Sequence, residues 1–190
     1  MAPNDRELML RVQAGEHNLF AQLVDRFRPR LLRFAANKLG DRTAAEDAVQ
    51  ETFLAVFVSR ASYDSRFALS TWIWTILLNA CRKAHAKRSR PLVASTASLG
   101  TSPTPAESER SEDREELHAW LAHLPEVEAD ALRLRFFGEL SFEEIAAAMN
   151  SSVSGAKVRV RRGLERLAEL ARQGRVEPVR DPDPVPGSGT

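Results

Sequence analysis

Cysteine is almost absent: Cys81 stands alone in a chain of 190 residues. That excludes an internal disulfide framework and a cysteine-built zinc site, so the fold must hold by packing. Also missing is any run of about 18 apolar residues, and the start MAPNDRELML has no basic segment leading into an apolar one. Neither a membrane span nor a signal peptide is expected, and the cytoplasm is the expected location. No strand-like alternation competes with helical periodicity, so the expected class is all-α. Acid is lacking from one long block, since Ser65 to Ala106 contains no Asp or Glu.

What is present complements that gap. Glu107 to Glu144 carries twelve acids against four basic residues, and Lys157 to Arg180 is again mostly basic. The formal net charge of +1 therefore hides two separate positive patches, a pattern that suits a nucleic-acid binder with local contacts as well as two solvated helix faces. With 43% hydrophobic and 28% charged residues the chain is ordinary for a folded protein of one medium or two small domains.

Periodicity and punctuation divide the chain. Asp5 is placed to cap a short first helix ending near Ala14 and Gly15. A longer run follows from His17 to Leu39, with Pro29 expected to kink it and Gly40 to close it. Thr43 and Glu46 have capping-box spacing for a third helix reaching about Ser59. After the loop RASYDSRFAL, Ser70 or Thr71 is placed to cap the helix STWIWTILLNACRKAHAKRSR. The stretch 91–111, PLVASTASLGTSPTPAESERS, reads as a flexible linker, and 176–190 as a disordered tail. Between them, helices are expected around Glu112 to Leu124 and from Pro125 to Phe137, closed by Gly138.

The segment LSFEEIAAAMNSSVSGAKVRVRRGLERL has the form of a helix-turn-helix. Ser141 and Glu144 make a capping box, Asn150 suits a left-handed turn, and a second helix starts at about Val153. On a wheel Val153, Ala156, Val160, Leu164 and Leu167 form the apolar side, and Ser154, Val158, Arg161 and Arg162 the other, with Lys157 and Arg159 on the flanks. Arginine forks suit guanine edges or phosphates, and a valine methyl suits thymine.

In the tryptophan-bearing helix, Ile73, Ile76, Leu77, Ala80 and Ala84 form the apolar stripe, widened by Trp74, Leu78 and Cys81. Thr75, Asn79, Arg82 and Lys83 make the polar face, and Trp72 at its border suits either packing or stacking on an unpaired base. The preceding helix presents Phe53, Leu54 and Phe57, with Val49, as its apolar side, and Asp47, Gln50, Glu51 and Leu54 project as a ridge. Such a ridge suits solvent and a basic partner equally.

These stretches, with FAQLVDRFRPRLLRFA and LGDRTAAEDAVQETFLAVF, occur in an order that resembles the extracytoplasmic-function sigma factors of bacterial RNA polymerase, from about Leu8 to Leu170. The resemblance implies a region 2-like domain over 1–90, a linker over 91–111 and a region 4-like helix-turn-helix domain over 112–175. It implies that Asp47, Gln50, Glu51, Leu54 and Phe57 meet the β′ clamp helices of core RNA polymerase, with the β flap as a second polymerase contact. It assigns Trp72, Asn79, Arg82 and Lys83 to the minus-ten element, and Ser154, Lys157, Val158, Arg161 and Arg162 to the minus-thirty-five element of promoter DNA. The linker is then expected to thread the polymerase near its RNA path.

Three positions depart from the pattern. Leu69 stands three residues before Trp72 where an aromatic is usual, with Phe67 two residues earlier; Lys83 replaces an acid; and Ser154-Gly155-Ala156 replaces glycine, threonine and a larger aliphatic. Gly155 costs its helix about 1 kcal/mol relative to alanine.

The expected function is a sigma factor that binds core polymerase and directs promoter recognition and opening, with no enzymatic activity, cofactor or metal of its own. Whether an anti-sigma factor holds it inactive is left open by the residues. The alternatives are a stand-alone helix-turn-helix regulator, which would bind duplex DNA without polymerase, and an enzyme built on Cys81 and His85 at (i, i+4) spacing.

Overall fold

The computed structural model describes residues 3–88 and 117–173, and among these every regular element is a helix. The expected linker 91–111, the expected start of a helix at Glu112 and the tail 176–190 lie outside the described residues.

Helix α1 (Asp5–Gln13) is capped by Asn4 rather than Asp5: Asn4 and Glu7 exchange hydrogen bonds of 2.9 and 3.0 Å in a capping box. Asp5 instead reaches across to Arg26 at 2.7 Å. A short 3₁₀ turn (His17–Leu19) leads into α2 (Phe20–Leu39), which runs unbroken through the exposed Pro29. Gly40 closes α2 with φ 63°, a left-handed conformation that costs glycine nothing.

Helix α3 (Arg42–Val58) starts earlier than the Thr43–Glu46 spacing predicts. The cap is Asp41, whose carboxylate accepts the Ala44 N–H at 2.7 Å, and Glu46 pairs with Arg42. Asp41 stands immediately after the turn glycine, so the chain re-enters helical geometry as soon as it has an acceptor for the free amides. A second 3₁₀ turn (Arg60–Ser62) precedes α4 (Leu69–Arg88). Ser70 and Thr71 thus lie inside α4 rather than capping it.

The described part of α5 spans 117–122. Pro125 is the cap of α6 (Glu126–Phe136), and the reversal after α6 falls at Glu139, φ 56°, rather than at Gly138. Gly138 is required for closeness, since a Cβ there would stand 2.5 Å from the Leu134 carbonyl oxygen. The helix-turn-helix follows as read: α7 (Phe142–Ala148) opens on the Ser141–Glu144 capping box, Asn150 turns with φ 49°, and α8 (Val153–Arg172) follows.

One correction falls inside α8. Its seam is Ala156, Val160 and Gly163, and Leu164 is exposed. A Cβ on Gly163 would meet Leu132 Cδ1 at 2.7 Å, so α6 and α8 touch along a side-chain-free groove that rotates Leu164 outward.

Helices α2, α3 and α4 pack around Leu31, Phe34, Val56, Trp74 and Leu77, while α6, α7 and α8 pack around Leu132, Leu134 and Ile145. The two groups also touch, α2 against α6 and α4 against α7, so that one apolar cluster is continuous through both. Trp74 is fully buried with its ring edge-on to Phe34 at 5.4 Å. Trp74→Ala should therefore lower unfolding stability by about 3–5 kcal/mol in denaturant titration.

Candidate nucleic-acid and polymerase interface

The ridge of α3 forms as its (i, i+3, i+4) spacing requires. Asp47, Gln50 and Glu51 are exposed, and Leu54 beside them is 65% accessible. Phe57 is set apart from this ridge. It is half-buried, with Phe20 edge-on at 5.2 Å, His17 at 5.5 Å and the Arg60 guanidinium over its ring at 4.5 Å. Val58, 68% exposed, extends the apolar end of α3 and was not among the residues singled out by periodicity.

Helix α4 lies along α3, and the groove between them is lined by Glu51, Ala55, Ile76, Asn79, Ala80 and Lys83. Lys83 Nζ bonds to Glu51 Oε1 at 2.7 Å, which joins the acidic ridge to the cationic face. Both side chains are more than half exposed, so this pair is worth little and is readily exchanged for other partners. Asn79 is exposed at the groove's edge.

Trp72 is half-buried with its ring tilted 31° against Tyr63 at 5.4 Å. Tyr63 in turn donates its hydroxyl to the Phe67 carbonyl at 2.8 Å, so the loop before α4 is braced from within. That loop leaves Phe67 66% exposed. Helical spacing of the tryptophan helix does not single out Phe67; the signal is an aromatic at the start of the acid-free block, just ahead of α4. The stacking group most open to solvent is thus Phe67, with Trp72 as part of its support.

On α8, Ser154, Lys157, Arg161 and Arg162 are exposed and Val158 is half-buried among them. Ser152 caps the helix by accepting the Gly155 N–H at 3.1 Å. Lys157 Nζ rests 5.7 Å from the Phe142 ring centre, which carries the base of the first helix onto the face of the second. Arg161 pairs with Glu165 at 3.6 Å, both side chains in solvent.

Cys81 is fully buried, and burial pushes its thiol up to about 12. That is the reverse of an activated nucleophile, and it removes Cys81 with His85 as a catalytic pair.

Family models match the chain in two places, Sigma-70 region 2 over residues 23–91 and Sigma-70 region 4 over residues 114–167. RNA polymerase sigma factor CarQ of Myxococcus xanthus is 34% identical over 177 residues, covering 90% of this chain and 100% of that one. The chain belongs to the extracytoplasmic-function class of RNA polymerase sigma factors. The ECF RNA polymerase sigma factor EcfG of Rhodopseudomonas palustris is 32% identical, covering 75% of this chain and 79% of that one.

Among solved structures, the sigma factor RpoE in complex with the anti-sigma factor NepR from Bartonella quintana matches with a TM-score of 0.62 at 25% identity, covering 82% of this chain and 98% of that one. CnrH in complex with the cytosolic domain of CnrY has the same fold, with a TM-score of 0.72 at 24% identity over 89% of this chain and 97% of that one. This sigma factor directs transcription initiation by RNA polymerase at promoter DNA. Among the described residues no helix is long and apolar enough to cross a membrane.

With its thiol near 12 and no exposed surface, Cys81 should react with a disulfide reagent at pH 8 about a thousandfold more slowly than a free cysteine. Colorimetric titration checks this, and full reactivity should return on unfolding.

Proposed function

We propose that residues 1–90 hold core polymerase and the minus-ten element, and residues 112–175 the minus-thirty-five element. The observation that carries this reading is that α3 and α8 each keep a chemically distinct face open to solvent, one acidic with an exposed leucine and the other cationic. Asp47, Gln50, Glu51 and Leu54 are the surface offered to the β′ clamp helices. Phe57 acts one layer back, fixing the end of α3 against Phe20.

Asn79, Arg82 and Lys83 are the groups offered to the minus-ten strand, with Phe67 and Trp72 presenting aromatic surface beside them. Opening a promoter in this way takes binding energy and no covalent step. On α8, Lys157 and Arg162 are set for phosphate, and Ser154, Val158 and Arg161 for base edges in the major groove. The chain acts in the cytoplasm, without enzymatic activity of its own, and region 4 also meets the β flap. The complex formed by the structurally similar RpoE with NepR supports an anti-sigma protein as a further partner.

Co-elution with purified core polymerase tests the reading. Asp47→Lys with Glu51→Lys should abolish co-elution while leaving the melting temperature of the chain within a few degrees. Unchanged co-elution would remove α3 as the docking surface. In the holoenzyme, Arg161→Ala should cost about 1–3 kcal/mol of binding to promoter duplex and relax preference at one base, whereas Lys157→Ala should weaken binding evenly and flatten the salt dependence. Phe67→Ala should impair transcription from duplex promoter more than from a pre-melted one.

A further inference from the structure

The loop before α4 holds Phe67 by both of that residue's backbone groups. The Phe67 N–H donates to the Asp64 carbonyl at 3.0 Å, and the Phe67 carbonyl accepts the Tyr63 hydroxyl at 2.8 Å. Asp64 tightens the same turn: its Oδ1 accepts the Arg66 N–H at 2.9 Å, and its Oδ2 accepts the Arg66 guanidinium at 2.8 and 2.6 Å. An exposed ring on a backbone bonded in this way has its direction set before any ligand arrives.

The anchor of the loop lies on α1. Gln13, the last residue of that helix, donates from Nε2 to two carbonyls, Arg60 at 2.7 Å and Tyr63 at 3.0 Å. An amide nitrogen carries two hydrogens, so each acceptor takes one. The two carbonyls stand at the start and just past the end of the second 3₁₀ turn, so one side chain fixes the whole turn. Helix α1 is a firm base for this, because Leu8, Met9 and Val12 on it are fully buried.

We propose that Gln13 is a positioning residue for promoter opening. Its amide fixes the turn that carries Tyr63, and the Tyr63 hydroxyl fixes the backbone of Phe67, so that the Phe67 ring is presented ready to stack on an unpaired base of the minus-ten strand. The inference rests on assigning Phe67 to that strand. Gln13 acts through Tyr63 rather than by touching DNA. Stacking on a loop already ordered by folding gives up less conformational freedom than stacking on one that must be ordered by the strand itself. The arrangement therefore favours the step in which bases leave the duplex.

The test is run-off transcription by holoenzyme reconstituted with the full-length chain, from a duplex promoter and from the same promoter pre-melted across the minus-ten element. Gln13→Leu keeps the bulk of the side chain and removes both donors. Transcription from duplex should fall about fivefold, and from the pre-melted promoter by about twofold or less, with co-elution on core polymerase unchanged. Added to Phe67→Ala, Gln13→Leu should cost little more than Phe67→Ala alone, because both changes act at one ring. Tyr63→Phe removes a single hydroxyl, keeps the ring against Trp72 and leaves α1 untouched. It should show the same selective loss on duplex, and it decides the matter if Gln13→Leu does not fold.

Unaltered transcription by both variants, equal losses on the two promoters, or losses that add in full to that of Phe67→Ala would overturn the positioning role and leave the assignment of Phe67 standing. A Phe67→Ala chain that opens duplex promoter as well as the unaltered chain would overturn that assignment, and the role of Gln13 with it.

Discussion

A lysine ammonium taken out of water sets the arrangement of the whole chain. Lys38 comes from the last turn of α2, its side chain is 4% exposed, and its nearest partner is Asp130, which has no exposure at all. Losing one member of such a pair costs about 3–5 kcal/mol, because the survivor remains desolvated and unpaired. The pair therefore fixes where α6 sits on α2. The rest of the contact follows from that register. Arg133, pushed down by burial and lifted again by Asp130, reaches Asn37; the His118 ring meets the Asn37 carbonyl, and Arg30 donates to the Gly138 carbonyl. Gly40 belongs to the same seam, since a Cβ there would stand 2.8 Å from the His118 ring. One glycine thus both ends α2 and admits α5.

The helices were legible because their signals are local. The stripe of α4 is buried as its spacing predicts, with Ile73, Trp74, Leu77, Leu78 and Cys81 all nearly inaccessible. The capping box of Ser141 and Glu144 and the left-handed Asn150 are present as read, because each rests on backbone chemistry within a few residues. Errors arose where two local signals competed. Asp41 and Asn4 displace Thr43 and Asp5 as caps, since a carboxylate or amide at the turn satisfies the amides first. A wheel places Leu164 on the apolar side because it cannot register that Gly163, having no side chain, is what α6 packs against.

The candidate sites were less legible, and the reason is sequence separation. Which faces of α3 and α8 stay open follows from each helix's own pattern. What touches the cations of α4 does not: Lys83 finds Glu51 32 residues away, and Arg82 finds Asp130 on a helix of the other unit. The two tryptophans show the same division. Trp74 is core on spacing alone, whereas the placement of Trp72 depends on Tyr63, and that ring in turn positions the exposed Phe67 through the Phe67 carbonyl. An aromatic ordinarily expected three residues before Trp72 is Leu69 here, which is buried, so the exposed ring moves two residues back along the loop.

Charge segregation then acquires a physical meaning that net charge conceals. A chain at +1 overall has little long-range attraction for DNA, yet its cations are concentrated on α4 and α8 where a promoter would need them. Concentrating them carries a hazard, because an exposed cationic helix binds any nucleic acid without regard to sequence. In the fold several of these cations stand beside carboxylates: Arg82 is 3.8 Å from Asp130, Lys83 pairs with Glu51, Arg161 with Glu165, and Arg166 with Glu128. Local pairing of this kind leaves each cation close to a carboxylate and yet open to solvent, so a low net charge comes with cationic surface that is held in place rather than buried.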